Sequence, residues 1–324
     1  MNSVGSQRAP LGWLRRLALG ISPRETSFAR RGFRNLSSPA RPHLERVGET
    51  FVAGYLAALR RGEPDPAGQL AELDALSPEL VGFAMEGAAM AYALLDLLTP
   101  WNRGRVQRWL AGTGQRHAYM IHVGAGWALA RLRRRPGRAL RRMDPLLRWL
   151  AVDGYGFHEG YFGWPRAIAR QLVPRRLQGY ERRAFDQGLG RSLWFVEGAD
   201  GERIAAAVAR FAPERHADLW SGVGLAGTYA GGVGRAELLG VRGLAGAHAA
   251  ALAQGAAFAA QARARAGNPA RHTELACEVW CGSSASEAAG LTNAVLAGIT
   301  GDVEHRYENW RQGIQAAYRG GDAC

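Results

Sequence analysis

Apolar residues recur at helical spacing over most of the chain. Between Pro42 and Arg61 they fall at Leu44, Val47, Phe51, Val52, Tyr55, Leu56 and Leu59 and stop at Gly62, the signature of a helix that buries one face. Ser77-Pro78-Glu79 opens a second helix that runs to about Leu98, with proline at the first helical position. Helical patterns follow at about 103–111, 114–134 and 143–152. Asp200-Gly201-Glu202 caps a helix to about Phe211, Ala212-Pro213-Glu214 caps the next, and others lie near 234–241, 246–266 and 272–281. Ser22-Pro23-Arg24-Glu25 and Ser284-Ala285-Ser286-Glu287 have the form of capping boxes, the first before a short basic helix through Arg31, the second before a helix to Gly298. Asp302 starts the last helix, on which Val303, Tyr307, Trp310, Ile314 and Tyr318 form one apolar stripe. The Gly- and aromatic-rich stretch Asp153 to Trp164 reads as loop or broken helix, and Ser192 to Val196 is the one candidate strand. The expected fold class is mainly α, a multi-helix bundle or array.

The chain also echoes itself. His117-Ala118, Gly124-Ala125 and Trp127-Ala128 return as His248-Ala249, Gly255-Ala256 and Phe258-Ala259. Pro78-Glu79 and Met85-Glu86-Gly87 match Pro213-Glu214 and Trp220-Ser221-Gly222; Arg30-Arg31-Gly32-Phe33 matches Arg182-Arg183-Ala184-Phe185; and Leu147, Gly154 and Glu159 match Leu275, Gly282 and Glu287. Four blocks in one order point to two tandem, weakly similar halves, 23–172 and 173–320, packed as one globular unit behind an N-terminal basic segment, 1–22. Gly222-Val223-Gly224-Leu225-Ala226-Gly227 fits a dinucleotide fingerprint in letters only. No strand precedes it, so its small residues are expected to serve close helix packing.

Composition narrows the chemistry. All 41 basic residues are arginine, which excludes Schiff-base lysine, a phosphate-loop lysine and a Ser–Lys pair. A net charge of +13 raises the question of nucleic acid, but no nucleic-acid-binding motif accompanies the densest basic run, Arg131 to Arg142, and none is expected as partner. Three cysteines make no disulfide framework. The most apolar run, Leu80 to Trp101, carries Glu86 and Asp96 and is expected to be a buried helix rather than a membrane span. The N-terminus lacks a signal-peptide core, so the expected location is cytoplasmic.

Glu86, His117, His122, Asp153, His158 and Glu159 stand on otherwise apolar segments, and imidazoles with carboxylates suit acid–base work or a metal. Glu86, set among Met85, Gly87, Ala88 and Ala89, is expected to be buried and therefore to need an Arg or His partner. His117 recurs as His248 and fits a structural role, whereas His122 has no counterpart in the second copy. His158-Glu159-Gly160-Tyr161-Phe162 starts like a zincin motif, but Phe162 stands where the second histidine belongs. No metal ligand set or cofactor is assigned. Cys277 and Cys281, one helical turn apart, read as inert buried thiols. Trp127, Tyr155, Phe157 and Tyr161, with Asp153 among them, are the expected lining of an apolar ligand pocket.

Several stretches are specific in wording: Gly20-Ile21-Ser22-Pro23, Ser27-Phe28-Ala29-Arg30-Arg31-Gly32-Phe33, Glu86-Gly87-Ala88-Ala89-Met90-Ala91, His122-Val123-Gly124-Ala125-Gly126-Trp127-Ala128, Asp153-Gly154-Tyr155-Gly156-Phe157-His158-Glu159-Gly160-Tyr161-Phe162 and Phe185-Asp186-Gln187-Gly188-Leu189-Gly190-Arg191-Ser192-Leu193-Trp194-Phe195. In these the chain resembles a family of unknown function (domain of unknown function 1702) typical of actinobacterial gene clusters for enediyne antitumour polyketides, from about residue 20 to 317. The resemblance carries no catalytic residues. It implies an accessory protein that binds or processes an apolar, polyene-derived intermediate during formation of the warhead core, with other proteins of that pathway as partners. For an enzyme the expected acid–base residues are His122, His158 and Glu159, with Glu86 as their partner. The alternatives are a non-catalytic carrier, sequestering or scaffold protein of the same pathway, and a peripheral membrane adaptor using the basic run and the Leu11–Ile21 segment.

Overall fold

A computed structural model describes residues 8–65, 76–99, 101–300 and 305–320. The expected helix start at Asp302, with Val303, and the terminal Cys324 lie outside them. Sixteen α-helices and no strand occur among the described residues: α1 (Arg8–Leu19), α2 (Phe28–Arg31), α3 (Arg41–Arg61), α4 (Pro78–Leu98), α5 (Arg105–Leu110), α6 (Ala118–Arg131), α7 (Gly137–Leu140), α8 (Arg148–Phe162), α9 (Tyr180–Val196), α10 (Gly201–Ala209), α11 (Pro213–Ala230), α12 (Arg235–Ala245), α13 (Ala249–Ala266), α14 (Arg271–Trp280), α15 (Ala285–Gly298) and α16 (Arg306–Gly320). The fold is mainly α.

Helix ends follow local chemistry. Asp200 accepts from the Arg203 N–H at 3.2 Å, and Ser284 and Glu287 form the reciprocal bonds of a capping box. Ser22-Pro23-Arg24-Glu25 instead makes one 3₁₀ turn, with Ser22 Oγ accepting from Arg24. A separate short helix, α2, then ends at left-handed Gly32. Two further expectations are corrected. Ser192–Val196 is the last turn of α9, not a strand, and Asp153–Phe162 is continuous helix in α8, followed by a π-helical turn at Pro165–Ala169.

The long helices form a row in chain order, α3, α4, α6, α8, α9, α11, α13 and α15, each packed on the next. Glycine sets how close they come. A Cβ on Gly126 of α6 would lie 1.8 Å from the Ala151 carbonyl oxygen of α8, and one on Gly154 of α8 would lie 2.0 Å from the Val123 carbonyl oxygen of α6. Gly156 and Gly188 join α8 to α9 in the same way, Gly190 and Gly222 join α9 to α11, and Gly224 and Gly255 join α11 to α13. Each helix-interior glycine costs about 1 kcal/mol of helix propensity, offset by the dispersion contacts of backbones in near touch. The fingerprint-like glycines 222, 224 and 227 thus serve packing. On α12, by contrast, a Cβ at Gly240 meets nothing within 4 Å and the residue is helical. Gly240→Ala should therefore stabilise the protein by about 0.5–1 kcal/mol in urea denaturation.

Two of the matched sequence blocks occupy matched places. His117 and His248 each end a 3₁₀ turn that leads into a helix, with φ near −100° in both. Gly124 of α6 abuts the Glu86 carbonyl of α4, and Gly255 of α13 abuts the Ser221 carbonyl of α11, the residue paired with Glu86 in the alignment. The other two blocks fall in unlike structure. Gly154 is a helix crossing and Gly282 a left-handed turn; Arg30–Phe33 closes α2, and Arg182–Phe185 lies inside α9.

The row curls so that α11 returns to α3 and α4. The His43 ring bonds the Ala230 carbonyl at 2.6 Å, and Phe83 meets Tyr229 edge-on at 5.2 Å. α1 lies on α3, where Tyr55 donates to the Leu19 carbonyl, and exposes Trp13, Leu14 and Leu17. α4 is long and apolar enough to cross a membrane, but 83% of its apolar window is buried inside the fold.

α16 is held by charge. Arg311, fully buried, pairs with Asp218 of α11 at 2.8 Å, and Arg183 of α9 links Asp218 (2.9 Å) to Glu308 (2.5 Å). Arg311→Met strips a buried carboxylate of one partner and should cost about 3–5 kcal/mol in urea denaturation.

Candidate functional site

Inside the curl, α3, α4, α6, α8, α9 and α11 enclose an apolar cavity, closed on one side by the segment between α1 and α2 through Ile21, Glu25 and Thr26. Phe51, Phe83, Trp127, Phe157, Tyr161 and Phe195 supply aromatic walls. The free space is about 40 Å³, enough for one or two waters. Trp127 is the hub: Phe51, Phe157 and Phe162 pack on it at ring-centroid distances of 4.5, 4.9 and 5.8 Å.

Three charged side chains line this space: Glu25, already paired with Arg30 and Arg31, Glu86 from α4 and Arg191 from α9. Trp127 Nε1 donates to Glu86 Oε1 at 2.9 Å, and Arg191 Nη2 lies 3.8 Å from the same oxygen. Arg191 Nη1 donates to Asp153 Oδ1 of α8 at 2.5 Å, Gln187 Nε2 donates to the other Asp153 oxygen at 2.9 Å, and the guanidinium lies over the Phe157 ring. All four polar groups are buried. Burial pushes the Glu86 carboxyl up to about 7; Arg191 and the Trp127 N–H oppose the shift, and Asp153 adds to it. One cation therefore serves two carboxyls. The better-bonded Asp153 takes it at short range, and Glu86 is left poised to hold or release a proton near neutrality.

The structure brings some of the expected residues together and separates others. Trp127, Phe157 and Tyr161 line the cavity, and Asp153 stands behind it through Arg191. His158 packs edge-on against Trp127 at 5.7 Å, outside the cavity wall. It contacts Glu159 at 3.5 Å; burial lowers its pKa, partly opposed by Glu159. Burial alone would raise Glu159, but His158, Arg166 and Arg176 hold it below its ordinary value. His122 does not join the site. It bonds the Ala118 carbonyl at 2.7 Å and faces a separate cleft with Leu147 and Arg265, and burial lowers its pKa. Tyr155 lies away from the cavity, buried toward Phe185. His117 is buried, and neither ring nitrogen bonds a protein group; burial lowers its pKa to about 4. Cys277 is buried and Cys281 partly so, its Sγ donating to the Ala253 carbonyl. Among the described residues no three His, Cys, Asp or Glu side chains gather as a metal would require.

Sequence reasoning missed Arg191 and Gln187. For Gln187 a signal was present: polar residues before glycines, Asp153-Gly154, Gln187-Gly188, Ser221-Gly222 and Gln254-Gly255, recur every 33–34 residues. In the structure they are linked in pairs, Gln187 to Asp153 and Ser221 to Gln254 at 2.8 Å. No curated protein and no solved structure matches the chain. A family model described as a protein of unknown function (DUF1702) matches residues 10–318, and the chain belongs to that family.

Proposed function

We propose that the protein is a cytoplasmic accessory factor of enediyne polyketide biosynthesis that takes an apolar, polyene-derived intermediate into the central cavity, with Glu86 as the group that moves a proton. The pathway rests on the resemblance of the quoted stretches. The chemistry rests on one observation: a buried carboxyl faces an aromatic cavity beside a fixed guanidinium, where burial pushes its pKa up to about 7. Such a carboxyl can protonate or deprotonate a conjugated skeleton, while Arg191 stabilises negative charge on Glu86 or on the substrate. A polyene needs several hundred Å³, so a wall must move to admit it. The wall that is not a long helix is the segment around Ile21–Thr26, tied to α8 where Tyr161 donates to the Thr26 carbonyl.

The hydrogen bond and ion pair on Glu86 also satisfy a purely structural charge, which favours the non-catalytic carrier as second reading. Titration with a linear conjugated polyene, followed by absorbance, together with product formation in a producing strain, separates the two. The enzyme reading expects Glu86→Gln to keep stoichiometric binding and lose product. Product at the wild-type level from Glu86→Gln would leave the carrier, and no binding by wild type would remove both.

A further inference from the structure

A second concavity, of about 820 Å³, lies between α4, α5, α6 and the run 132–143. Its rim carries six arginines, Arg103, Arg133, Arg134, Arg135, Arg138 and Arg142. Elsewhere this protein pairs arginines with carboxylates, as at Arg183, Arg191, Arg215 and Arg311. None of the six guanidiniums has such a partner among the described residues. Among the described residues, the only carboxylate lining the cleft is Asp96, and it is already engaged by the Arg105 guanidinium and by the Arg105 and Val106 N–H groups. Arg133 holds a left-handed backbone, φ 50°, a strained state for a residue with a Cβ. N–H bonds from Arg133 to Ala130 and from Arg134 to Leu129 fix that turn at the end of α6.

The floor is aliphatic: Leu97, Val106, Ala125, Leu129 and Met143 line it, and among the described residues no aromatic ring does. Stacked bases would find no platform there. Six like charges around a concave, low-dielectric floor focus a positive potential onto apolar surface. Guanidiniums grip phosphate and carboxylate oxygens in pairs.

We propose that this cleft is a binding site for an anionic amphiphile, a phosphate or carboxylate headgroup on an aliphatic chain, with the head on the arginines and the chain on the floor. It is separate from the Glu86 cavity and stands whether or not that cavity is catalytic. Isothermal titration of the full chain with dodecyl phosphate below its micelle concentration tests it, with inorganic phosphate, dodecyltrimethylammonium and phosphatidylglycerol vesicles as the other arms. Saturable one-to-one binding of dodecyl phosphate is expected, at least tenfold tighter than phosphate alone. The triple variant R134Q/R138Q/R142Q should weaken it at least tenfold. Met143→Glu, a charge on the half-exposed part of the floor, should weaken it without touching the arginines. The proposal is overturned by absence of saturable binding, by equal binding of the cationic amphiphile, or by an unchanged affinity in the triple variant. Capture by phosphatidylglycerol vesicles without binding of the monomer also overturns it, assigning the arginines to a membrane surface.

Discussion

Replacing Gly188 by alanine is expected to cost the fold about 3 kcal/mol or more, near the upper end for a single added methyl. The new Cβ would sit 1.8 Å from the Asp153 carbonyl oxygen and 2.8 Å from the Phe157 nitrogen. Both are backbone atoms inside α8, so no rotamer can relieve the clash. α8 and α9 would have to part by more than an ångström at the point where Arg191 and Gln187 reach Asp153. The loss should appear in urea denaturation as a lower midpoint, and the Glu86 site should loosen with it. An unchanged midpoint would mean that the helices do not approach as described, and the same conclusion would then extend to Gly126, Gly156 and Gly222.

Glu86→Gln is expected to abolish the proton transfer proposed for this site and to change how stability depends on pH. The folded carboxyl holds its proton to about pH 7, whereas an unfolded glutamate releases it near 4.5. Between those values the folded state carries the extra proton, so its contribution to stability is complete below about pH 4.5 and is lost as pH rises through 7. A shift from 4.5 to about 7 corresponds to roughly 3 kcal/mol. Glutamine keeps the oxygen that accepts from Trp127 but cannot ionise. The stability difference between wild type and variant, followed by urea denaturation from pH 4.5 to 8, should therefore move by that amount in favour of the variant. A constant difference would show that Glu86 titrates as an ordinary exposed carboxylate.

Much of the architecture was legible because it is local. α3, α4, α13 and α15 begin and end, and α11 begins, close to where apolar period, Pro and caps place them. α8 and α9 were obscured. Gly154 and Gly156 read as breakers when the segment is taken alone, and only the neighbouring helix turns them, like Gly188 and Gly190, into crossing points. With α9 read partly as a strand, Gln187 and Arg191 did not fall on one helical face. Glu86 was legible because a carboxylate among Met, Ala and Gly has no surface reading, and its need for a cationic partner followed from burial. Which cation serves it did not, since Arg191 is 105 positions away in the chain. His122 stood out as the residue breaking the repeat, but departure from a repeat says nothing of the direction a side chain faces. It points to another cleft.

The central claim is that the fold holds Glu86 half-protonated near neutrality beside an apolar cavity. Its most direct test is a carbon-13 NMR titration of the glutamate side-chain carboxyls between pH 4 and 9, with Glu86 assigned by its absence in Glu86→Gln. A midpoint near 7 is the predicted result. A midpoint below 5 would contradict it, leaving Glu86 an ordinary ion-pair carboxylate.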